Sequence, residues 1–221
     1  INKKKFSIEN SLLLPDASIL DPKLSFTCSK KQKITSAVDA LCQSIESLWS
    51  LNSTHLSIKY AKKSFKLVWG NIYDAIINKS FDSHAKLLIG SNYSGKAINI
   101  SKTTAPHAIS YYISKNFNIP HGLSVMLTIT QFLKEHAQLL EKKKKIENIN
   151  QCMNFLGKEM KCSLVDVSSI FKKKMQDLGV ETSLIKYNIL ENDLNNIANA
   201  VDTIRLKNHP VKLKKKRYFG N

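Results

Sequence analysis

Two histidines carry the chemistry that can be read first. His107 and His121 are two of only six histidines in 221 residues, and each follows a proline, in Pro106-His107 and in Pro120-His121-Gly122. Neutral imidazole is the commonest nitrogen donor to transition metals. Upstream, Asp39 and Gln43 are four residues apart, a spacing that sets both on one face of a helix. A carboxylate, an amide oxygen and two imidazoles form a mixed oxygen and nitrogen set suited to a divalent metal ion. Tyr111 follows His107 by one helical turn, so it would point into the same pocket. Each residue also has a plainer reading. Ser36-Ala37-Val38-Asp39 fits a helix-capping box, Gln43 a solvated helix position and Tyr111 a core position. His55, His84, His136 and His209 stand in polar surroundings and are expected to face solvent.

These residues need elements to position them. Pro106 suits the first turn of a helix capped by Thr103 or Thr104, running to about Asn116 and stopping in Asn116-Phe117-Asn118. Pro120 opens a second helix that reaches about Glu141, so a turn between the two helices can bring both imidazoles to one point. Asp39 belongs to a helix from about Gln32 with Val38, Leu41, Cys42, Ile45, Leu48 and Trp49 as its buried stripe. Ser53 or Thr54 caps a helix to about Asn78, with Tyr60, Phe65, Val68, Ile72 and Ile76 turned inward. A third runs from near Ser83 to Ile100, and its Gly90, Ser91, Ser94, Gly95 and Ala97 are small enough for another helix to approach closely. Further helices are expected over Ile146–Gly157, Leu164–Leu178 with Gly179 as its stop, and Asp193–Arg205. Residues 1–30 are cut by Pro15 and Pro22 and read instead as short strands and turns, the edge of a sheet whose other strands are missing. The expectation is an all-α domain over residues 31–221 behind a strand and turn remnant over residues 1–30.

Composition narrows the function classes. No run of eighteen apolar residues appears, so no membrane-spanning helix is expected. Cys28, Cys42, Cys152 and Cys162 are scattered without a CxxC pair, which argues against a disulfide framework or a cysteine-rich zinc site and fits a reducing cytoplasm. The chain opens Ile1-Asn2-Lys3 without a methionine or a signal peptide, as a piece of something longer would. The net charge of +17 invites a nucleic-acid reading, but only Arg205 and Arg217 among the 34 basic residues are arginine. The lysines fall in short clusters, Lys3–Lys5, Lys30–Lys33, Lys142–Lys145, Lys172–Lys174 and Lys212–Lys216, with no interleaved aromatics. A solvated lysine surface is the reading taken, with no nucleic-acid or membrane partner.

Several stretches together resemble one family. Ser36-Ala37-Val38-Asp39-Ala40-Leu41-Cys42-Gln43-Ser44-Ile45-Glu46 resembles the "G-x-D-A-L-x-H-x-I-E" helix of the iron-containing (group III) alcohol dehydrogenases. Leu88 to Ala97 resembles that family's small-residue helix, and Pro106-His107 to Pro120-His121-Gly122 reproduces its H-x13-HG spacing. Ala17–Pro22 is similar to the family's crossing between domains, and Asn208-His209-Pro210 sits where the family carries an Asn-Pro. The chain is thus identified as resembling the C-terminal helical, dehydroquinate synthase-like half. Ser47–Thr54 and Thr103–Tyr111 resemble its phosphonoacetaldehyde reductase (hydroxyethylphosphonate dehydrogenase) branch.

The resemblance implies Asp39, Gln43, His107 and His121 as metal ligands, Fe²⁺ as the ion with Zn²⁺ as a competitor, and Tyr111 as a proton-relay group. Gln43 departs from the histidine that most members have, and a neutral amide oxygen is the weaker ligand. Tyr111 stands where many have a second histidine, and a phenol is a poor base near neutrality. The implied reaction is NAD(P)-dependent interconversion of an alcohol and an aldehyde, a phosphonate among the candidate substrates, in a homo-oligomer. The seven glycines form no G-x-G-x-x-G or G-G-G-S stretch, so the partner still required is the α/β dinucleotide-binding half. Two other readings stay open: a non-catalytic remnant, and a lysine-rich helical binding module.

Overall fold

The computed structural model of the chain describes residues 10–201 and 203–213. The lysine clusters at 3–5 and, in part, at 212–216 lie outside these residues, as do Arg217 and the first nine residues of the expected strand remnant. Ten α-helices follow in order among the described residues: α1 Pro22–Phe26, α2 Lys30–Trp49, α3 His55–Ile76, α4 Phe81–Ser101 and α5 Ala105–Asn116, then α6 His121–Glu141, α7 Glu147–Met160, α8 Val167–Asp177, α9 Glu191–Ala200 and α10 Thr203–Leu206. The all-α expectation is met, with most boundaries close to those read from periodicity; the helix expected over Asp193–Arg205 is divided into α9 and α10 by an extended Val201, and Leu164–Asp166 forms a 3₁₀ turn ahead of α8.

The arrangement turns on α2. Val38, Leu41, Cys42, Ile45 and Trp49 are fully buried on it, and it packs against α3, α4, α6 and α7. Its cap is Ser29, whose side chain accepts from the Gln32 amide, so Ser36 lies inside the helix and the capping-box reading of Ser36 and Asp39 is replaced. Asp39 is therefore released from a local role. Thr54 caps α3 through a reciprocal pair with Ser57. The small residues of α4 divide in use. A Cβ on Gly90 would come within 2.6 Å of Val68 Cγ2 and 3.2 Å of Leu67 Cβ, so α4 lies close on α3 there, whereas nothing stands within 4 Å of a Cβ on Gly95.

At the front the structure departs from expectation. No strand forms among residues 10–30; a 3₁₀ turn at Ser11–Leu13 and the short α1 take its place. Asp21 caps α1 by accepting from the Lys23 amide, and Pro22 pre-sets its first turn. A strand gains its hydrogen bonds from a neighbouring strand, and the described chain offers none. Leu12, Leu13, Leu14, Ile19 and Leu24 remain exposed, Ile19 at 95%.

Three histidines expected to face solvent are buried instead. His84 shares a 2.9 Å hydrogen bond with the Ser25 hydroxyl and packs against Phe26. His136 of α6 and His209 stack with ring centroids 5.4 Å apart, His136 at 4.6 Å from the Trp49 ring and His209 at 4.9 Å from Phe132. None of the four ring nitrogens of this pair has a hydrogen-bond partner in the protein. Periodicity placed both in polar sequence; only the fold puts aromatic rings around them. Burial pushes both imidazoles down, His136 further through its neighbour and His209 to about 4 despite the opposing pull of Glu46.

Both groups therefore bind protons more weakly folded than unfolded, where the ordinary value is near 6.5. The unfolded chain takes up protons first, so stability drains away as pH falls from about 6.5 toward about 4. Urea denaturation at pH 7 and pH 4.5 should show this loss, and His209→Leu, of similar size but without a titratable nitrogen, should show a smaller one.

Candidate metal centre

The centre assembles where α2, α5 and α6 meet. Phe117 ends α5, Asn118 takes a left-handed turn (φ 52°), and Pro120 leads into α6 with His121 as its first residue. The Ile119 carbonyl accepts from Ser114 Oγ at 2.8 Å and from Ser124 Oγ at 3.3 Å, fastening the turn to both helices. Gly122 then sets how near α6 comes to α2. A Cβ there would lie 2.3 Å from the Thr35 carbonyl oxygen and 2.9 Å from Asp39 Cβ. Only glycine lets the first turn of α6 touch the backbone beside Asp39.

Asp39, His107 and His121 each bring one donor atom into a group whose members all lie within 4.8 Å of one another. His107 Nε2 is 3.4 Å, and His121 Nε2 3.9 Å, from Asp39 Oδ1. Asp39 Oδ1 and His107 Nε2 are buried and neither forms a hydrogen bond. Donors about 2.1 Å from a shared tetrahedral ion would be spaced about 3.4 Å from one another, so a divalent ion fits this set. The site is drier on one side: the side chain of His107 is 4% exposed, that of Asp39 23% and that of His121 31%.

Gln43 stands beside this group with its amide already engaged. Its Nε2 donates to Asp39 Oδ2 at 2.8 Å, and its Oε1 accepts from Ser94 Oγ at 2.9 Å. An ionised carboxylate can only accept, so the amide must turn its nitrogen toward Asp39 and its oxygen toward α4. In this arrangement Gln43 orients Asp39, leaving Oδ1 directed at the imidazoles. Tyr111 lies with its ring over His121, centroids 5.5 Å apart and planes within 13°.

The residue that sequence reasoning passed over is Glu46. Its carboxylate is fully buried and hydrogen-bonded to the ring of His107 at Nδ1. Glu46 Oε1 also accepts from the Thr104 N–H (2.8 Å), the Thr104 hydroxyl (2.9 Å) and the His107 N–H (3.4 Å). Thr104 occupies the cap position of α5 but makes no cap bond of its own, so Glu46 satisfies the amides that open the helix. The Trp49 indole N–H closes the chain on Thr104 Oγ1 at 2.9 Å. Burial opposes a proton on His107, but the carboxylates of Glu46 and Asp39 outweigh it and raise the imidazole to about 9. With Nδ1–H held by Glu46, a neutral His107 keeps its lone pair on Nε2, facing Asp39. The available signal was position: Glu46 falls seven residues after Asp39, two turns along the face that also carries Gln43, and beside Ile45 of the apolar stripe.

Comparison with known proteins follows the same outline. The model of the Fe-containing alcohol dehydrogenase family, C-terminal, matches residues 33–217. Phosphonoacetaldehyde reductase of Streptomyces viridochromogenes is 30% identical over 139 residues, 62% of this chain and 35% of that protein. 4-Hydroxybutyrate dehydrogenase of Clostridium kluyveri is 26% identical over 201 residues, 89% of this chain and 53% of that protein. Among solved structures, iron-containing alcohol dehydrogenase from Thermococcus thioreducens superposes with a TM-score of 0.82 at 20% identity, over 96% of this chain and 55% of that one. Sulfoacetaldehyde reductase from Bifidobacterium kashiwanohense, in complex with NAD⁺, gives 0.78 at 22% identity over 90% and 51%. At such identities the superpositions speak for the fold. The matched region spans between 35% and 53% of the length of these two curated relatives.

Two substitutions test the geometry. Glu46→Gln removes one of the two carboxylates that lift His107 and leaves Asp39 alone against the burial that lowers it, so NMR titration should find the imidazole below about 9. Gly122→Ala drives a methyl group into the Thr35 carbonyl, and should cost about 1–3 kcal/mol in chemical denaturation.

Proposed function

The chain belongs to the Fe-containing alcohol dehydrogenase family, and on that premise we propose that it is the metal-binding half of an oxidoreductase interconverting an alcohol and an aldehyde with a nicotinamide cofactor. The observation that carries the metal part is the pair of buried, unbonded donors, Asp39 Oδ1 and His107 Nε2, 3.4 Å apart beside His121. Asp39, His107 and His121 hold the ion, with Fe²⁺ the family's metal and Zn²⁺ the competitor that nitrogen and oxygen donors bind more tightly. Such an ion, held by these residues, would supply Lewis-acid polarisation of a carbonyl oxygen for hydride exchange with a nicotinamide cofactor.

The chain's own residues do the rest. Glu46 fixes the ring of His107 and its tautomer, and Gln43 fixes Asp39 as an outer partner. Tyr111, over the face of His121 at the more exposed side of the group, donates a proton to the developing alkoxide or passes one from solvent.

The glycine-rich phosphate loop that would hold the nicotinamide cofactor belongs to the α/β half, and the exposed Leu12, Leu13, Leu14, Ile19 and Leu24 form an apolar front for that half to cover. For the substrate, phosphonoacetaldehyde reductase and 4-hydroxybutyrate dehydrogenase are named for short molecules with an anionic end. An aldehyde of that kind, phosphonoacetaldehyde first, is the finer reading for this chain.

Metal content by mass spectrometry decides the metal reading. After anaerobic loading with Fe²⁺, about one ion per chain is expected in the unmodified protein, with loss in both His107→Ala and His121→Ala. No ion in the unmodified protein would sink the reading in favour of a non-catalytic remnant. Joined to the α/β half of a relative, the loaded protein should reduce phosphonoacetaldehyde faster than propanal; equal rates would remove the anionic preference.

A further inference from the structure

Asn208 is distant from the metal group in sequence, in the turn after α10, yet its side chain is used almost to capacity. Oδ1 accepts from the Asn52 N–H at 3.0 Å, and the Ser50 hydroxyl shares its proton between this oxygen (2.9 Å) and the Ser101 carbonyl (2.7 Å). Nδ2 donates to the carbonyls of Ser101 (2.7 Å) and Thr103 (3.1 Å). The backbone adds a bond, from the Leu51 N–H to the Asn208 carbonyl at 3.0 Å. A primary amide offers two N–H donors and one oxygen with two lone pairs, and both ends are engaged here.

The two sets of partners are not neighbours in the chain. Ser50, Leu51 and Asn52 form the exit of α2, immediately after Trp49. Ser101 and Thr103 belong to the link between α4 and α5, where Lys102 is held in the left-handed region (φ 57°). The next residue of that link is Thr104, whose N–H and hydroxyl both go to Glu46, and three residues later comes His107. Because Thr104 does not cap α5 itself, the start of that helix is located by Glu46 and by whatever holds the link. His209 seals the arrangement, packed on Phe132 and His136 at the edge of Trp49.

We propose that Asn208 is a positioning residue for the metal centre. It clasps the α4–α5 link to the end of α2, and so sets the register in which Thr104 and His107 meet Glu46 and His107 Nε2 faces Asp39. It touches none of the three metal-binding side chains and acts through Thr104 and Glu46. Its bearing on metal affinity rests on the reading given under the proposed function; its hold on His107 does not.

The test uses the chain unmodified, with Asn208→Asp and with Asn208→Ala. Asn208→Asp keeps the size and the acceptor for Asn52 but removes both donors to Ser101 and Thr103. In metal-free protein, the downfield proton resonance of His107 Nδ1–H should move or broaden in both variants. The Thr104 amide should exchange at least about tenfold faster while amides of Val125 to Ile129 in α6 keep their rates. Affinity for Co²⁺ should fall about 10–100-fold, with an altered visible spectrum of the bound ion. An unchanged His107 resonance, or Thr104 and α6 amides accelerating by one common factor, would overturn the proposal, since the latter is general destabilisation.

Should both variants fail to fold, hydrogen exchange on the unmodified chain decides. The amides of Leu51, Asn52 and Thr104 are expected to open together, below the free energy of α6, and independent openings would sink the clasp. An unmodified chain that takes up no Co²⁺ removes the metal reading, while the metal-free resonance and exchange data still decide whether Asn208 positions His107.

Discussion

A carboxylate with no exposure to water sits at the centre of this structure. Burying an ionised group is costly unless charge and hydrogen bonds answer it, and Glu46 is answered by the Thr104 amide and hydroxyl, the His107 amide and the His107 ring. These donors come from the α4–α5 link and from the first turn of α5, so α2 and α5 meet in the register that satisfies all of them. The opening turn of α5, with its unpaired amides and partial positive charge, meets a carboxylate in place of a local cap. Glu46 is at once the cap of α5, the counter-charge of His107 and the group that orients its ring.

The opposite wall of the centre depends on contact. Gly122 lets α6 come down onto the backbone around Thr35 and Asp39, and that approach carries His121 to the same carboxylate oxygen that His107 faces. Gln43 takes up the other oxygen of Asp39 and ties it to Ser94 of α4. The group is therefore held from α2, α4, α5 and α6 together. Its dry wall is the His107 side, and its wetter wall carries His121 and Tyr111.

Several of the described lysines lie against aromatic rings or carboxylates. Lys33, Lys62, Lys63 and Lys174 lie over Phe26, Phe155, Tyr93 and Trp69, while Lys66 and Lys86 pair with Glu159 and Asp82. The first four set their ammonium groups over the ring faces. Among the described residues no helix is long and apolar enough to cross a membrane.

What the sequence determined by itself is local. Apolar period, prolines and turn residues placed the helices within a few residues, and the spacing of His107 to His121 and of Asp39 to Gln43 marked the side chains that gather at one point. These features depend on neighbours a turn away. The tertiary structure alone decided which way Gln43 turns its amide, that Glu46 grips His107, that His136 and His209 lie among aromatic rings, and that no strand forms in residues 10–30. Each of these turns on a partner remote in sequence or on its absence, as with Asn208 and Ser50, 158 residues apart. A polar side chain reads alike in sequence whether it meets water or a buried partner, and only packing supplies the difference in free energy.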